Sequence, residues 1–124
     1  MKKFGISEEV WDVAKEELRS SILKHAYQRK MTYYGEIAAE VEVTYVDPHS
    51  ELLNHLLGEI FDDDVALGNP LITSIVTHKS GDKEPGEGFY YKARSSGFKF
   101  DEPYIFWSDQ VMQVFKKFGN QDRI

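Results

Sequence analysis

One short stretch of the sequence combines residue types that suit acid–base chemistry. It contains His78, Lys79, Glu84 and Glu87. An imidazole beside a carboxylate can take up and release a proton near neutral pH. The same residue types are typical of solvated turn charges, and we favour that interpretation because turn charges are more often incidental than catalytic. Whether His78 and the turn Ser80–Gly88 form a ligand site stays open.

The turn itself contains several glycines, but its pattern does not predict a phosphate-binding loop. It lacks the G-x-x-x-x-G-K-[ST] spacing, and it is predicted to precede a strand, which offers no helix N-terminus to an anion. The glycines are therefore assigned to a tight bend between two strands.

Basic and aromatic residues are interleaved in the second half of the chain. This pattern indicates nucleic-acid binding, because cations contact phosphates and aromatic rings stack on bases or sugars. The candidate contacts are Lys79, Lys83, Tyr91, Lys92, Arg94 and Lys99. Alternate aromatic residues in a strand are also typical of a core face, which is the competing interpretation.

The negative charge of the chain lies in its centre. The net charge is −6, and residues 36–64 contain nine carboxylates and no lysine or arginine. Such a block repels phosphate and attracts a cationic partner. The candidate protein-binding residues are Glu51, Glu59, Asp62, Asp63 and Asp64.

Composition excludes several classes of protein. There is no cysteine, which excludes disulfides, thiolate metal sites and a cysteine nucleophile and fits a cytoplasmic protein. The histidines lack the spacing of metal ligands, so no metal and no cofactor is expected. No apolar run is long enough for a membrane span, and the first residues do not form a signal peptide. The 124 residues are expected to form one domain.

The elements that must position these residues follow from hydrophobic periodicity. Four helices are predicted: from a Ser7 cap to about Arg29, Tyr33–Val41, His49–Phe61 after an Asp47-Pro48 opening, and from Asp101–Pro103 to Gly119. The leucines of the third helix are assigned to the core, with a homodimer face or partner groove as the alternative. Leu71–Thr77 and Phe89–Arg94 are predicted strands, joined by the glycine-rich turn. The order α-α-α-β-β-α predicts an α+β, winged-helix-like fold with a C-terminal helix.

Two stretches support a family resemblance. M-T-Y-Y-G-E-I-A-A-E-V (Met31–Val41) and G-N-P-L-I-T-S-I-V-T-H-K-S-G-D (Gly68–Asp82) together resemble the DNA-binding half of alkylguanine-DNA alkyltransferases and their non-catalytic alkyltransferase-like relatives. The resemblance implies a winged-helix DNA-binding domain. The family's Cys-His-Arg motif would fall on Thr77, His78 and Lys79, so no alkyl acceptor exists. The arginine of the family's recognition helix has no counterpart in residues 36–64.

A second resemblance is closer in wording. L-I-T-S-I-V-T-H-K-S-G followed by P-G-E-G-F-Y (Leu71–Tyr90), with Phe106-Trp107 later, is similar to a group of short bacterial proteins with a Pro-Gly-Glu-Gly-Phe turn. That group has no assigned activity, so the similarity implies no function.

These observations rank three functions. The first is a non-catalytic binding module that engages a basic protein partner through the acidic helical surface. The second is a winged-helix nucleic-acid-binding protein that uses its basic aromatic wing. The third is a small enzyme centred on His78.

Overall fold

The computed structural model describes residues 4–79 and 84–121. Their elements are α1 (Glu8–Tyr27), β1 (Thr32–Tyr33), α2 (Tyr34–Ala39), α3 (Glu51–Leu67), a 3-10 turn (Ile72–Ile75), β2 (Val76–Thr77), α4 (Glu87–Ser95) and α5 (Pro103–Phe118). The predicted winged-helix fold is wrong. The described residues form a mostly helical structure with one two-stranded parallel sheet, whereas a wing needs antiparallel strands.

The first and last predicted helices are confirmed. Ser7 Oγ accepts a hydrogen bond from the Val10 amide at 3.3 Å and caps α1, as expected. The core face of α1 contains Trp11, Ala14, Leu18, Ile22 and Ala26. Helix α5 begins with Pro103 in its first turn and ends at Gly119.

Helix α3 begins later and ends later than predicted. Asp47 and Pro48 belong to a turn before the helix, and Ser50 is the true N-cap, accepting from the Leu53 amide at 3.2 Å. The helix runs past Phe61 to Leu67, where Gly68 closes it in the left-handed conformation. Its leucines pack in or against the core, which confirms that assignment: Leu52, Leu53, Leu56 and Leu57.

Most of the predicted strand Leu71–Thr77 is a 3-10 turn. Side chains satisfy its backbone: Gln110 Oε1 accepts from the Leu71 amide at 3.0 Å, and Trp107 Nε1 donates to the Ser74 carbonyl at 2.7 Å. These bonds replace the ladder that a strand would need. Of this segment, Val76 and Thr77 form the strand β2, which pairs in parallel with Thr32 and Tyr33.

The predicted strand Phe89–Arg94 is also wrong, because these residues lie in helix α4. As a helix, the segment buries Ala93 and brings Phe89 against Phe61 at a ring separation of 5.9 Å. This contact belongs to a second, smaller core, which consists of Phe61, Leu71 and Ala93 with Phe89, Phe98, Phe100 and Phe106 around them. Aromatic packing therefore decides the conformation over the strand-like composition.

Within residues 4–79 and 84–121, no helix combines the length and apolar character needed to cross a bilayer.

Candidate functional site

A pocket of about 750 Å³ lies between α2, α3 and the start of α4. We call it the basic pocket. It is lined by Tyr33, Tyr34, Gly35, Pro48, His49, Asn54, Leu57, Gly58, Phe61, Thr73, His78, Lys79, Gly86, Gly88, Phe89 and Lys92. Its volume lies within the range of about 300 to 1,000 Å³ that is typical of small-molecule sites.

One wall of the basic pocket is a single face of α3. Asn54, Leu57, Gly58 and Phe61 follow one another at helical spacing and so point the same way. Gly58 has no side chain at this wall, and the Lys92 side chain packs against it: a Cβ on Gly58 would lie 3.6 Å from Lys92 Cε. The helix thus presents a polar amide at one end of the face and an aromatic ring at the other.

The opposite wall comes from the carboxyl ends of the two strands. Because Tyr33 pairs with Thr77 in parallel, the next residues of both strands, Tyr34 and His78, emerge side by side. Their rings lie 5.1 Å apart. Lys79 follows, with its Nζ 5.4 Å from the centre of the Tyr33 ring.

The start of α4 completes the basic pocket. The N-cap is Gly86, which provides no side chain to the first amides of the helix. The Gly86 amide donates to Tyr34 Oη at 3.1 Å, and a Cβ on Gly86 would lie 3.6 Å from His78 Nε2. The start of α4 therefore lies against both rings, and a Cβ at this position would make only ordinary contacts with them.

The Tyr34 hydroxyl stays protonated at neutral pH. Burial raises the pKa of Tyr34, against the lowering effect of the Gly86 amide. Since Tyr34 Oη accepts from Gly86, its own O–H is directed elsewhere, and no described residue accepts it. It is a hydrogen-bond donor available at the pocket wall.

The charge of the lining contrasts with that of the chain. Two lysines and two histidines line the basic pocket, and no aspartate or glutamate is among the described lining residues, although the net charge of the chain is −6. Lys92 Nζ lies 3.0 Å from Asp62 Oδ1, and this ion pair offsets part of its charge. A site of this composition attracts anions.

Thr73 provides a further polar group. It is 7 % exposed and lines the basic pocket, and its Oγ1 has no hydrogen-bond partner among the described residues. An unsatisfied buried hydroxyl costs about 1 to 3 kcal/mol, and such groups mark sites of function or bound solvent.

The residues predicted for acid–base chemistry are only partly brought together. His78 and Lys79 line the basic pocket, but Glu84 and Glu87 do not. Glu84 Oε1 accepts a hydrogen bond from the Tyr90 hydroxyl at 2.9 Å, and burial together with this bond raises the pKa of Tyr90. The rest of the turn, Ser80–Lys83, lies outside the described residues.

The predicted nucleic-acid contacts are divided among several faces. Lys79 and Lys92 line the basic pocket, while Tyr91 is exposed and Arg94 lies 4.0 Å from the centre of the Phe100 ring. Residues two apart on a helix point in different directions, so Lys92 and Arg94 do not share a surface. Lys99 is exposed and does not line the pocket, and Lys83 lies outside the described residues.

The predicted protein-binding carboxylates mostly contact cations of the same chain. Asp63 lies 2.8 Å from Lys15 and 3.4 Å from Arg19, and Asp64 is buried at 3.6 Å from Arg19. Glu59 accepts from Trp11 Nε1 at 3.0 Å and also faces Lys15.

The remaining two carboxylates of this set differ from each other. Asp62 pairs with Lys92. Glu51 is exposed and has His55 at 4.0 Å. Four of the five candidate carboxylates thus form contacts with α1 or α4, and Glu51 is the most exposed of the five.

Sequence reasoning missed several lining residues. Tyr34, His49, Asn54, Gly58 and Thr73 were not assigned to any site. The i, i+3, i+4, i+7 spacing on α3 indicates that Asn54, Leu57, Gly58 and Phe61 share one face of the helix. The leucine-rich pattern of the same helix led to the prediction of a core face. The helix N-terminus at Gly86 was missed because Gly86 was assigned to a turn, followed by a strand from Phe89.

Metal binding has no support among the described residues. Within 4–79 and 84–121, no three histidine, aspartate or glutamate side chains gather closely enough to hold an ion.

Comparison with known proteins adds no relative. No family model, no curated protein and no solved structure matches this chain. The two resemblances noted in the sequence therefore stay predictions.

Proposed function

We propose that the protein is a non-catalytic binding domain that takes an anionic ligand in the basic pocket. The observation that carries the proposal is the lining, which contains Lys79, Lys92 and two histidines and no described carboxylate, in a chain of net charge −6. Asp62 does not line the pocket but pairs with Lys92, so Lys79 is the stronger contributor. A concave site with low-dielectric walls focuses such charge and raises the local concentration of anions.

Binding is better supported than catalysis. A catalytic histidine needs a partner that orients it or a second group of matched acidity within hydrogen-bond reach. Glu84 is bonded to Tyr90, and Glu87 is exposed outside the basic pocket, so neither serves His78 in this arrangement. The donors around the pocket instead suit the retention of an anion.

A protein partner at the acidic surface stays a prediction. Ion pairs engage Glu59, Asp63 and Asp64 within the chain, so fewer carboxylates remain for a cationic partner than the sequence indicated. Replacing Glu51 by lysine tests whether the exposed part of the acidic surface binds a cationic partner, because Glu51 is exposed.

The experiment for the anion site uses inorganic phosphate and nuclear magnetic resonance. In a titration of the ¹⁵N-labelled protein, phosphate should shift the amide signals of Gly86, Gly88 and Lys92 with a dissociation constant on the order of 1 mM. The Lys79→Ala/Lys92→Ala double variant should bind about tenfold more weakly or worse, since a charged hydrogen bond is worth about 1.5 to 3 kcal/mol.

The matched control is Lys99→Ala, which removes an exposed lysine outside the basic pocket and should leave the affinity unchanged. Added sodium chloride should weaken phosphate binding by screening. The proposal would be overturned by the absence of pocket shifts, or by equal phosphate affinity of the wild type and the double variant.

A further inference from the structure

We propose that the ligand of the basic pocket is a phosphate monoester joined to a flat aromatic ring, as in a nucleoside 5′-monophosphate. The same chemical group occurs in a free nucleotide and at the 5′-phosphorylated end of a single strand. This inference rests on the proposed function and specifies its ligand.

The basic pocket has two chemically different walls. The wall at the strand ends contributes Tyr34, His78 and Lys79 and adjoins the start of α4. The wall on α3 contributes Leu57 and Phe61, next to Phe89. A ligand that fills both walls needs an anionic end and a flat apolar part.

The anionic end fits phosphate. The Tyr34 hydroxyl has a proton to donate, the ammonium of Lys79 lies over the Tyr33 ring, and Gly86 leaves the first amides of α4 without a side-chain cap. A helix N-terminus favours an anion through its amides and its dipole. The independent indication of a ligand is Thr73, a lining residue that is more than nine-tenths buried and whose hydroxyl is unpartnered.

The flat part fits an aromatic base. Phe89 of α4 is the half-buried ring at the basic pocket, with the nearly fully buried Phe61 packed 5.9 Å behind it, and stacking of a base on an aromatic side chain is sequence-tolerant and favourable. Gly58 has no side chain, and the Lys92 side chain lies against it, with Cε 3.6 Å from where a Cβ would be. A base at this wall therefore meets Leu57, the Phe89 ring and the side chain of Lys92.

Asn54 is the residue we expect to distinguish a base from another aromatic ring. Its amide lines the basic pocket, and among the described residues it has no side-chain hydrogen bond. A carboxamide offers one donor and one acceptor side by side, which matches the paired groups on the edge of adenine. Phosphotyrosine has a ring but no such edge.

The experiment compares adenosine 5′-monophosphate, ribose 5-phosphate and adenosine by calorimetry and by amide shifts. The nucleotide should bind at least tenfold more tightly than ribose 5-phosphate, and adenosine should bind more weakly than the nucleotide. Asn54→Ala should weaken the nucleotide about tenfold without changing the affinity for ribose 5-phosphate.

Two further variants complete the set. Glu51→Ala is the control for Asn54→Ala, because Glu51 is exposed on the same helix and does not line the basic pocket. Gly58→Leu should block the nucleotide while phosphate still binds, and circular dichroism checks that the variant is folded.

The outcomes separate this inference from the proposed function. If phosphate binds but the nucleotide binds no more tightly than ribose 5-phosphate, the aromatic part of the inference is wrong while the anion site stands. If O-phosphotyrosine binds as tightly as the nucleotide and Asn54→Ala has no effect, the inference is likewise overturned. If phosphate itself fails to bind, both fall.

A last pair of ligands distinguishes the two sources. Tighter binding of a 5′-phosphorylated trinucleotide than of the mononucleotide supports a strand end, and the reverse supports a free nucleotide. Equal binding of the trinucleotide with and without its 5′-phosphate would contradict the inference, since it would remove the monoester from recognition.

Discussion

At the scale of single residues, glycines with the same chemistry have opposite roles in α3. Gly58 lies inside the helix with ordinary helical geometry, and a Cβ there would make only an ordinary contact with Lys92. Gly68 closes the helix with φ +70°. The first glycine leaves space in the basic pocket, and the second makes the left-handed turn that L-residues adopt at a cost.

Gly58→Ala should therefore stabilise the protein, and Gly68→Ala should destabilise it. Removing a helix-interior glycine gains about 0.5 to 1 kcal/mol in the free energy of unfolding. A side chain in the left-handed conformation costs about 1 to 2 kcal/mol. Urea denaturation of both variants measures the direction of each change in the free energy of unfolding. A loss of stability in Gly58→Ala would show that the wall of the basic pocket has no room for a methyl group.

Asp64 is a residue-scale case of a buried carboxylate. It is fully buried, and its Oδ2 accepts from the Ile72 amide at 3.1 Å. Burial raises the pKa of Asp64, and this effect outweighs the lowering by the Ile72 amide and the Arg19 guanidinium. The folded protein thus binds the Asp64 proton more tightly than the unfolded chain does.

The sign of the pH dependence follows from that difference. Below the ordinary pKa of 3.8 both states are protonated, and the stabilising contribution of protonated Asp64 is fully present. It is lost as pH rises through the higher pKa of the folded state. The free energy of unfolding of the wild type, relative to Asp64→Asn, should fall over this window and then level. A relative rise with pH in urea titrations would contradict the prediction.

At the scale of elements, α5 holds the segment that precedes β2. Gln110 Oε1 accepts from the Leu71 amide, and Trp107 donates to the Ser74 carbonyl, at positions where a strand would have had ladder bonds. This fixes the 3-10 turn, and through it β2 and the positions of His78 and Lys79. The wall of the basic pocket thus depends on a helix that does not line it.

Gln110→Leu should destabilise the protein by about 1 to 3 kcal/mol, because it leaves the buried Leu71 amide without an acceptor. The control is Gln113→Leu on the same helix. Gln113 is exposed and bonds only Asp109 among the described residues, so its loss should change stability by less than about 0.5 kcal/mol. Thermal or urea denaturation compares the two, and equal effects would argue against the anchoring role of Gln110.

At the scale of the whole molecule, two cores of unequal size hold the helices. The larger core buries faces of α1, α3 and α5, whereas α4 buries only Ala93 of its nine residues and packs on the smaller aromatic core. Local stability follows buried apolar contact, so we expect α4 to open more easily than α1 and α3. Its first turn is also a wall of the basic pocket.

Native-state hydrogen exchange should therefore show less protection in α4 than in the centres of α1 and α3. A bound anion at the start of α4 should raise that protection, since a ligand that binds only the closed state stabilises it by mass action. Measurements with and without phosphate on the wild type and on the Lys79→Ala/Lys92→Ala variant test this. Equal protection of all helices would show that the two cores unfold together.

The role of the acidic residues also becomes clear only when the whole molecule is considered. In the sequence, residues 36–64 have nine carboxylates and no lysine or arginine. In the structure, Lys15 and Arg19 of α1 lie against α3 and face Asp63. Electrostatic attraction over a long sequence separation thus converts an apparent surface patch into contacts between helices.

The sequence by itself determined the features that depend on local physics. The apolar stripe and the Ser7 cap specified α1, and Pro103 with Gly119 marked the bounds of α5. Both signals lie within a few turns of the chain, so no distant partner is needed to read them. It also singled out Lys79 and Lys92, but as nucleic-acid contacts on a wing, and the basic pocket that they line was not predicted.

Only the tertiary structure decided the features that depend on distant partners. Leu71–Ile75 has strand-like composition, but Gln110 and Trp107 satisfy its backbone from α5. Phe89–Arg94 has the aromatic content of a strand, but packing on Phe61 makes it a helix and turns a presumed hairpin into a helix N-terminus beside the basic pocket. The physical reason is that burial and hydrogen-bond satisfaction are properties of the packed chain, and they outweigh the weak local preferences of these short segments.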